Sequence, residues 1–246
     1  MRAVAAALTF LASAALAQPA PQRMLDDAEA RAYAAVGRLN VAGDRHCTAT
    51  LISDRLVLTA AHCLFNGRTG RRSEVGSMKF VAGQRRDEYA ALRGVVAAAP
   101  LPDYAPSIGG RSDLMGVALD LALVELDEPI PPEVVAPLRV GPLAAGEPQW
   151  IVAYGRDRAY AASIREGCGV IEDLEIVAVL DCAVTFGVSG APVLAAGPDG
   201  PLVTAVVSAM SADGAGRELA FVVSAAPAMD ELAAALADAA GGLAGR

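Results

Sequence analysis

Beyond residue 17 the sequence contains no run of roughly eighteen apolar residues free of charge or turn formers, so nothing there reads as a membrane-spanning helix. Lysine is almost missing, with Lys79 alone, and 20 basic residues face 28 acidic ones for a formal net charge of −8. That balance argues against nucleic acid and anionic membrane surfaces as partners. Histidine is scarce as well: His46 and His62 are the only two. No two of the four cysteines form a Cys-x-x-Cys pair, so a structural zinc site is disfavoured, and neither metal nor cofactor is expected.

What is present begins at the N-terminus. Arg2 precedes an apolar run from Ala3 to Leu16, and Ala15-Leu16-Ala17 is the small-residue pattern that signal peptidase accepts. The run is short for a bilayer span. Residues 1–17 are therefore read as a signal peptide, and the mature protein as soluble, monomeric, and secreted or periplasmic. Cleavage there leaves 229 of the 246 residues, with 19 basic against 28 acidic, enough chain for one domain or for two small ones sharing an interface. In an exported chain the even set Cys47, Cys63, Cys168 and Cys182 favours two disulfides. Three connectivities are open. Pairing in sequence order is the simplest, and its first loop of about 15 residues would contribute on the order of 3 kcal/mol.

Short β-strands separated by Gly, Pro and Asp dominate the rest: Thr48–Ile52, Leu56–Thr59, Met78–Ala82, Gly94–Ala98 and Leu119–Leu126, then Trp150–Tyr154, Cys168–Ile171, Glu175–Leu180, Pro192–Leu194, Leu202–Ser208 and Leu219–Val223. Such spacing predicts an all-β sandwich or barrel. Pro129-Ile130-Pro131-Pro132 is the best internal boundary. The predicted organisation is an N-terminal extension (18–33), a first β-rich unit (34–128), a linker (129–138) and a second unit (139–246), the last ending in a helix over Asp230–Ala240 after Pro227.

Three segments carry chemistry. Thr59-Ala60-Ala61-His62-Cys63 puts a histidine directly after a strand. Phe186-Gly187-Val188-Ser189-Gly190-Ala191-Pro192 flanks a serine with glycines, which lets backbone amides converge on one spot, as a developing oxyanion requires. Between them Leu119-Asp120-Leu121-Ala122-Leu123-Val124 sets a carboxylate in an otherwise apolar run, and a buried carboxylate needs a partner. An imidazole is a suitable one, because the carboxylate holds its tautomer and stabilises the imidazolium. Asp113 and Asp127 stand in more polar, turn-like surroundings. A turn alone could produce the glycine–serine string, and Asp120 alone could cap a turn or pair with an arginine.

Together these segments resemble the chymotrypsin and trypsin-like serine peptidases over roughly residues 34–240. His62, Asp120 and Ser189 match the family's triad in order and separation, and Cys47-Thr48-Ala49-Thr50-Leu51-Ile52 resembles the bacterial branch that includes glutamyl endopeptidases. The resemblance implies two antiparallel six-stranded Greek-key β-barrels with a C-terminal helix. It implies an oxyanion hole from the amides of Gly187 and Ser189. It also implies a Cys47–Cys63 disulfide, which leaves Cys168 with Cys182.

Departures from the family shape the functional expectation. Val188 stands where zymogens carry an aspartate that receives a new N-terminal ammonium, and Ala191 replaces a second glycine. Ala183, six positions before Ser189, stands where a trypsin-like pocket carries an acid, so Arg or Lys preference is not expected. No histidine follows His62, which excludes the glutamyl device of that branch. By the resemblance Ser208-Ala209-Met210 aligns with the strand that pairs with substrate backbone, and Met210, in place of a frequent glycine, is expected to narrow the pocket entrance. The expectation is an endopeptidase acting on peptide or protein after small or medium apolar residues. Gly187-Val188-Ser189-Gly190-Ala191 also lies near the Gly-x-Ser-x-Gly nucleophile elbow, but that fold places its histidine after the serine, and here none follows. The rival reading is a catalytically inactive binding protein with the same fold.

Overall fold

The computed structural model describes residues 21–41, 45–109 and 112–244. The signal peptide assigned to residues 1–17 lies outside the described residues. A two-residue strand, β1 (Arg23–Met24), leads to a short helix, α1 (Asp27–Ala32). Asp26 and Glu29 form a capping box at its start, which satisfies orphan amides reciprocally. Then follow β2 (Val36–Val41), β3 (Arg45–Leu51), β4 (Leu56–Thr59), β5 (Lys79–Ala82), β6 (Ala91–Pro100), α2 (Leu114–Ala118) and β7 (Ala122–Leu126). The six strands β2-β3-β4-β7-β6-β5 close into an antiparallel barrel. Leu39, Leu51, Leu58, Phe80 and Leu123 fill it.

β3 is buried along its length from Cys47 onward, on both faces. One face looks into the barrel. The other meets the second half of the chain, where Thr48 bonds to Tyr154, Gly187 and Ser189.

The second half carries β8 (Arg139–Val140), β9 (Gln149–Ala153), β10 (Ser163–Cys168), β11 (Val170–Leu174), β12 (Val177–Leu180), β13 (Pro192–Gly197), β14 (Gly200–Ala212) and β15 (Glu218–Ser224). They form one sheet ordered β1-β10-β9-β13-β14-β15-β12-β11, with β8 parallel to β14. The count is nine strands rather than six, because β1 and β8 add two-residue edges and β11 extends the far end beyond β12. Gly169 alone separates β10, near one end of the path, from β11 at the other. That single-residue step forces the sheet to curl back on itself. The Cys168–Cys182 disulfide sits at this corner, and Asp181 accepts from the Gly169 amide beside it.

The final helix, α3 (Met229–Ala244), begins with Asp230 and Glu231 in its first turn, where acids favour the helix dipole. Although it follows the second half in sequence, it packs on β6 and β7 and buries Leu232 and Leu236 in the same core as the first barrel. Among the described residues no helix is long and apolar enough to cross a membrane.

Candidate active site

β4 ends at Thr59, and the chain turns into a 3-10 helix, Ala61–Leu64, that presents His62. The Cys47–Cys63 disulfide ties that turn to β3. The sulfurs beside His62 are joined to each other and are not free as metal ligands.

Asp120 does not lie within a strand, as the apolar run Leu119–Leu126 predicts. The run is divided: its first residues close the turn after α2, and β7 starts only at Ala122. Asp113, in turn-like surroundings as its sequence suggests, is the N-cap of that helix and accepts from the Gly116 amide, while Asp127 accepts from the Gly94 amide. The turn aims Asp120 at His62. Its carboxylate, 4 % exposed, accepts from the His62 backbone amide at 2.7 Å through Oδ1 and pairs with His62 Nδ1 at 2.7 Å through Oδ2.

Ser208 supplies a third donor, with its Oγ 2.5 Å from Asp120 Oδ2. It sits where the β14–β15 register shifts between Val207 and Ala209, and the bulge re-aims its side chain. The family resemblance implies substrate pairing for Ser208; its contact with Asp120 has no local signal, since the partner is 88 positions away. Ala209 and Met210 follow along β14, with Met210 44 % exposed. Ala183 lines a small cavity with Gln22, Ile151, Ser163, Arg165 and Val188.

The Ser189 turn is pressed against this group. Gly190 takes φ +79°, and a Cβ there would lie 2.2 Å from Thr59 Oγ1 and 2.3 Å from the Thr48 carbonyl oxygen, so only glycine allows the approach. The Gly190 amide donates to the Val207 carbonyl, one residue from Ser208. The turn is therefore anchored to the strand that bears the Asp120 partner. No hydrogen bond joins Ser189 Oγ to His62 among the described residues, and Ser189 is half-buried.

Around Ser189 all four carbonyls have donors. Phe186 O accepts from Arg156 N, Gly187 O from Thr48 Oγ1, Val188 O from Ala191 N and Ser189 O from Thr48 N. Val188 N and Gly190 N are also paired. The amides of Gly187 and Ser189 have no acceptor among the described residues. Val188 itself is buried in the apolar core of the second half, with Ile151, Ala153 and the Cys168–Cys182 pair.

Three influences act on the titration of His62. Burial disfavours the imidazolium, the Asp120 charge and hydrogen bond favour it, and the nearby Arg45 guanidinium disfavours it; the net direction is upward from 6.5. Arg45 is held by the Phe65 carbonyl and Ser73 Oγ. His46 moves the other way: burial, Arg38 and Arg156 hold it neutral-leaning, while its Nε2 meets the Tyr154 carbonyl at 3.2 Å.

The trypsin family model matches residues 25–230. Among solved structures, a Glu endopeptidase in complex with MPD is 16% identical, with TM-score 0.71, over 88% of this chain and 96% of that one. A thermostable serine protease from an extremophilic microorganism is 14% identical, with TM-score 0.65, over 83% of this chain and 98% of that one. At such identities these two establish the fold. No curated protein sequence matches the chain. The family model spans both the His62 turn and the Ser189 turn, and on that match the chain belongs to the trypsin family and is a serine-type endopeptidase.

Proposed function

We propose that the protein is an exported endopeptidase that cleaves through His62, Asp120 and Ser189. The observation that carries this is the convergence of three donors on the buried Asp120 carboxylate, two from His62 and one from Ser208, beside the anchored Ser189 turn. With Nδ1–H held by Asp120, Nε2 is the basic nitrogen and takes the Ser189 proton as Oγ attacks the scissile carbonyl. The oxyanion then finds the amides of Gly187 and Ser189. The imidazolium passes its proton to the leaving amine, and water releases the acyl group by the reverse sequence.

Val188 supports activity without an activating protease, because a buried apolar side chain offers no ion pair to a new N-terminus. Ala183 and Met210 support small or medium apolar residues before the scissile bond, with the backbone of Ser208, Ala209 and Met210 pairing with the substrate. The signal-like N-terminus and the two disulfides support a secreted or periplasmic location. Labelling of the purified protein with a fluorophosphonate, followed by peptide mapping, is expected to place the adduct on Ser189. A peptide library should show apolar residues before the cleaved bond. Lack of any adduct would replace this reading with that of an inactive binding protein.

The pH profile is a separate expected result. His62 acts as a base only when neutral, and its pKa lies above 6.5, so the acid limb of kcat/KM should be centred above pH 6.5. Arg45→Met removes a positive charge that opposes the imidazolium, and the limb should move to still higher pH. Rate profiles of the two proteins check this; a limb below 6.5, or a downward move in the variant, contradicts it.

A further inference from the structure

We propose that Thr48 is the positioning residue that sets the oxyanion loop in this chain, an inference that rests on reading the Gly187 and Ser189 amides as the oxyanion donors. A loop that must hold two amides unpaired until substrate arrives needs its other groups fixed. In a trans peptide the N–H lies opposite the carbonyl, so a bond that holds the carbonyl on one side aims the amide to the other. Thr48 holds two carbonyls of the loop, those whose planes carry the Val188 and Gly190 amides. Its Oγ1 donates to Gly187 O at 3.0 Å and its backbone N donates to Ser189 O at 2.9 Å, which fixes the peptide planes on both sides of the one that carries Ser189 N–H.

Of the two planes that carry the oxyanion amides, the one between Val188 and Ser189 is held by the Ala191 amide on Val188 O, and the one between Phe186 and Gly187 is fixed at one remove. Phe186 O accepts from Arg156 N at 2.7 Å, and the Tyr154 amide at the head of that segment donates to Thr48 Oγ1 at 3.0 Å. The same hydroxyl therefore anchors both strands of the loop's support, with one donor bond and one acceptor bond. Thr48 is wholly buried, so no water can take the place of either bond without rearrangement. Val188 is buried among apolar side chains and offers the loop no charge to hold it. The hydroxyl thus occupies the mechanical role left open by the lack of an ion pair at position 188.

Thr48→Val keeps the shape and removes the hydroxyl, whereas Thr48→Ser keeps the hydroxyl. If the loop depends on that group, Thr48→Val should lower kcat by about 10- to 100-fold, less than the ~10²–10³-fold for loss of an oxyanion donor, with KM within about twofold. Affinity for a peptide boronic acid, which mimics the tetrahedral state, should fall by the same factor. Thr48→Ser should stay within about threefold of wild type on both measures. A folded Thr48→Val with wild-type kcat overturns the proposal, and so does a loss in kcat with unchanged boronate affinity or equal losses in the Ser and Val variants. Should Thr48→Val not fold, as judged by circular dichroism, Thr48→Ala is measured in its place, and wild-type kcat in it overturns the proposal equally. Wild-type protein without Ser189-dependent turnover would instead overturn the peptidase-site reading, and this inference with it.

Discussion

Ser189→Ala is expected to lower kcat by about five to six orders of magnitude while leaving KM and thermal stability close to wild type. The stability half of the expectation comes from the structure. Ser189 Oγ makes no hydrogen bond among the described residues, and Ser189 is anchored through its backbone carbonyl on Thr48, which alanine retains. Removing Oγ therefore costs the fold almost nothing, within about 0.5 kcal/mol for such a side chain. The catalytic half follows because Ser189 Oγ is the group proposed to form the acyl intermediate. The Ser208 hydroxyl, which also meets Asp120, is no substitute, because its proton is committed to Asp120 Oδ2 at 2.5 Å and it is 8 % exposed. The oxyanion donors survive the substitution, so a small residual rate above the uncatalysed one should remain, on the order of 10³-fold. Turnover and melting curves on matched preparations check both halves. Equal hydrolysis by wild type and variant, with neither labelled by fluorophosphonate, would end the catalytic reading of Ser189.

The parts of the fold that were legible in the sequence are those with local causes. Leu56–Thr59 is a strand as predicted, because β-branched and apolar residues bounded by turn formers decide it within a few positions. β2 was not predicted, since Gly37, Arg38 and Asn40 interrupt any apolar pattern. Its causes are tertiary. A Cβ at Gly37 would lie 2.4 Å from the Phe80 ring, and Arg38 stacks over Tyr160 at 4.7 Å. The two-residue strands β1 and β8 likewise depend on partners far along the chain. At the site, the order and residue types of the three proposed catalytic groups were readable. Thr48 and the Asp120 contact of Ser208 were not, because their partners lie 139 and 88 positions away and a threonine or serine in a strand carries no mark of them. Asp120 shows the middle case: the need for a partner was visible in its apolar neighbours, but the turn that delivers it was hidden inside a run that reads as continuous strand.

That turn makes Asp120→Asn the more discriminating substitution, with an expected fall in kcat of about 10⁴-fold. Among the described residues the Asp120 carboxylate meets three donors and no acceptor: His62 N–H at Oδ1, with His62 Nδ1–H and Ser208 Oγ–H at Oδ2. Asparagine offers one oxygen and one NH₂ group. If the NH₂ took the Oδ1 place it would face the His62 backbone N–H, a donor that cannot invert. The amide oxygen is therefore forced to that position, and the NH₂ points at the imidazole. Nδ1 must then accept, which moves the ring proton to Nε2, the atom that has to receive the Ser189 proton. Loss of the carboxylate charge also removes the main influence favouring the imidazolium, so the acid limb of whatever activity remains should shift to lower pH than in wild type. Ser208→Ala, by comparison, removes one donor and leaves the tautomer in place, so its loss should be far smaller. Rate–pH profiles for the three proteins decide the matter. A fall of less than tenfold in Asp120→Asn, or a limb that moves upward, would show that His62 is oriented by something other than Asp120.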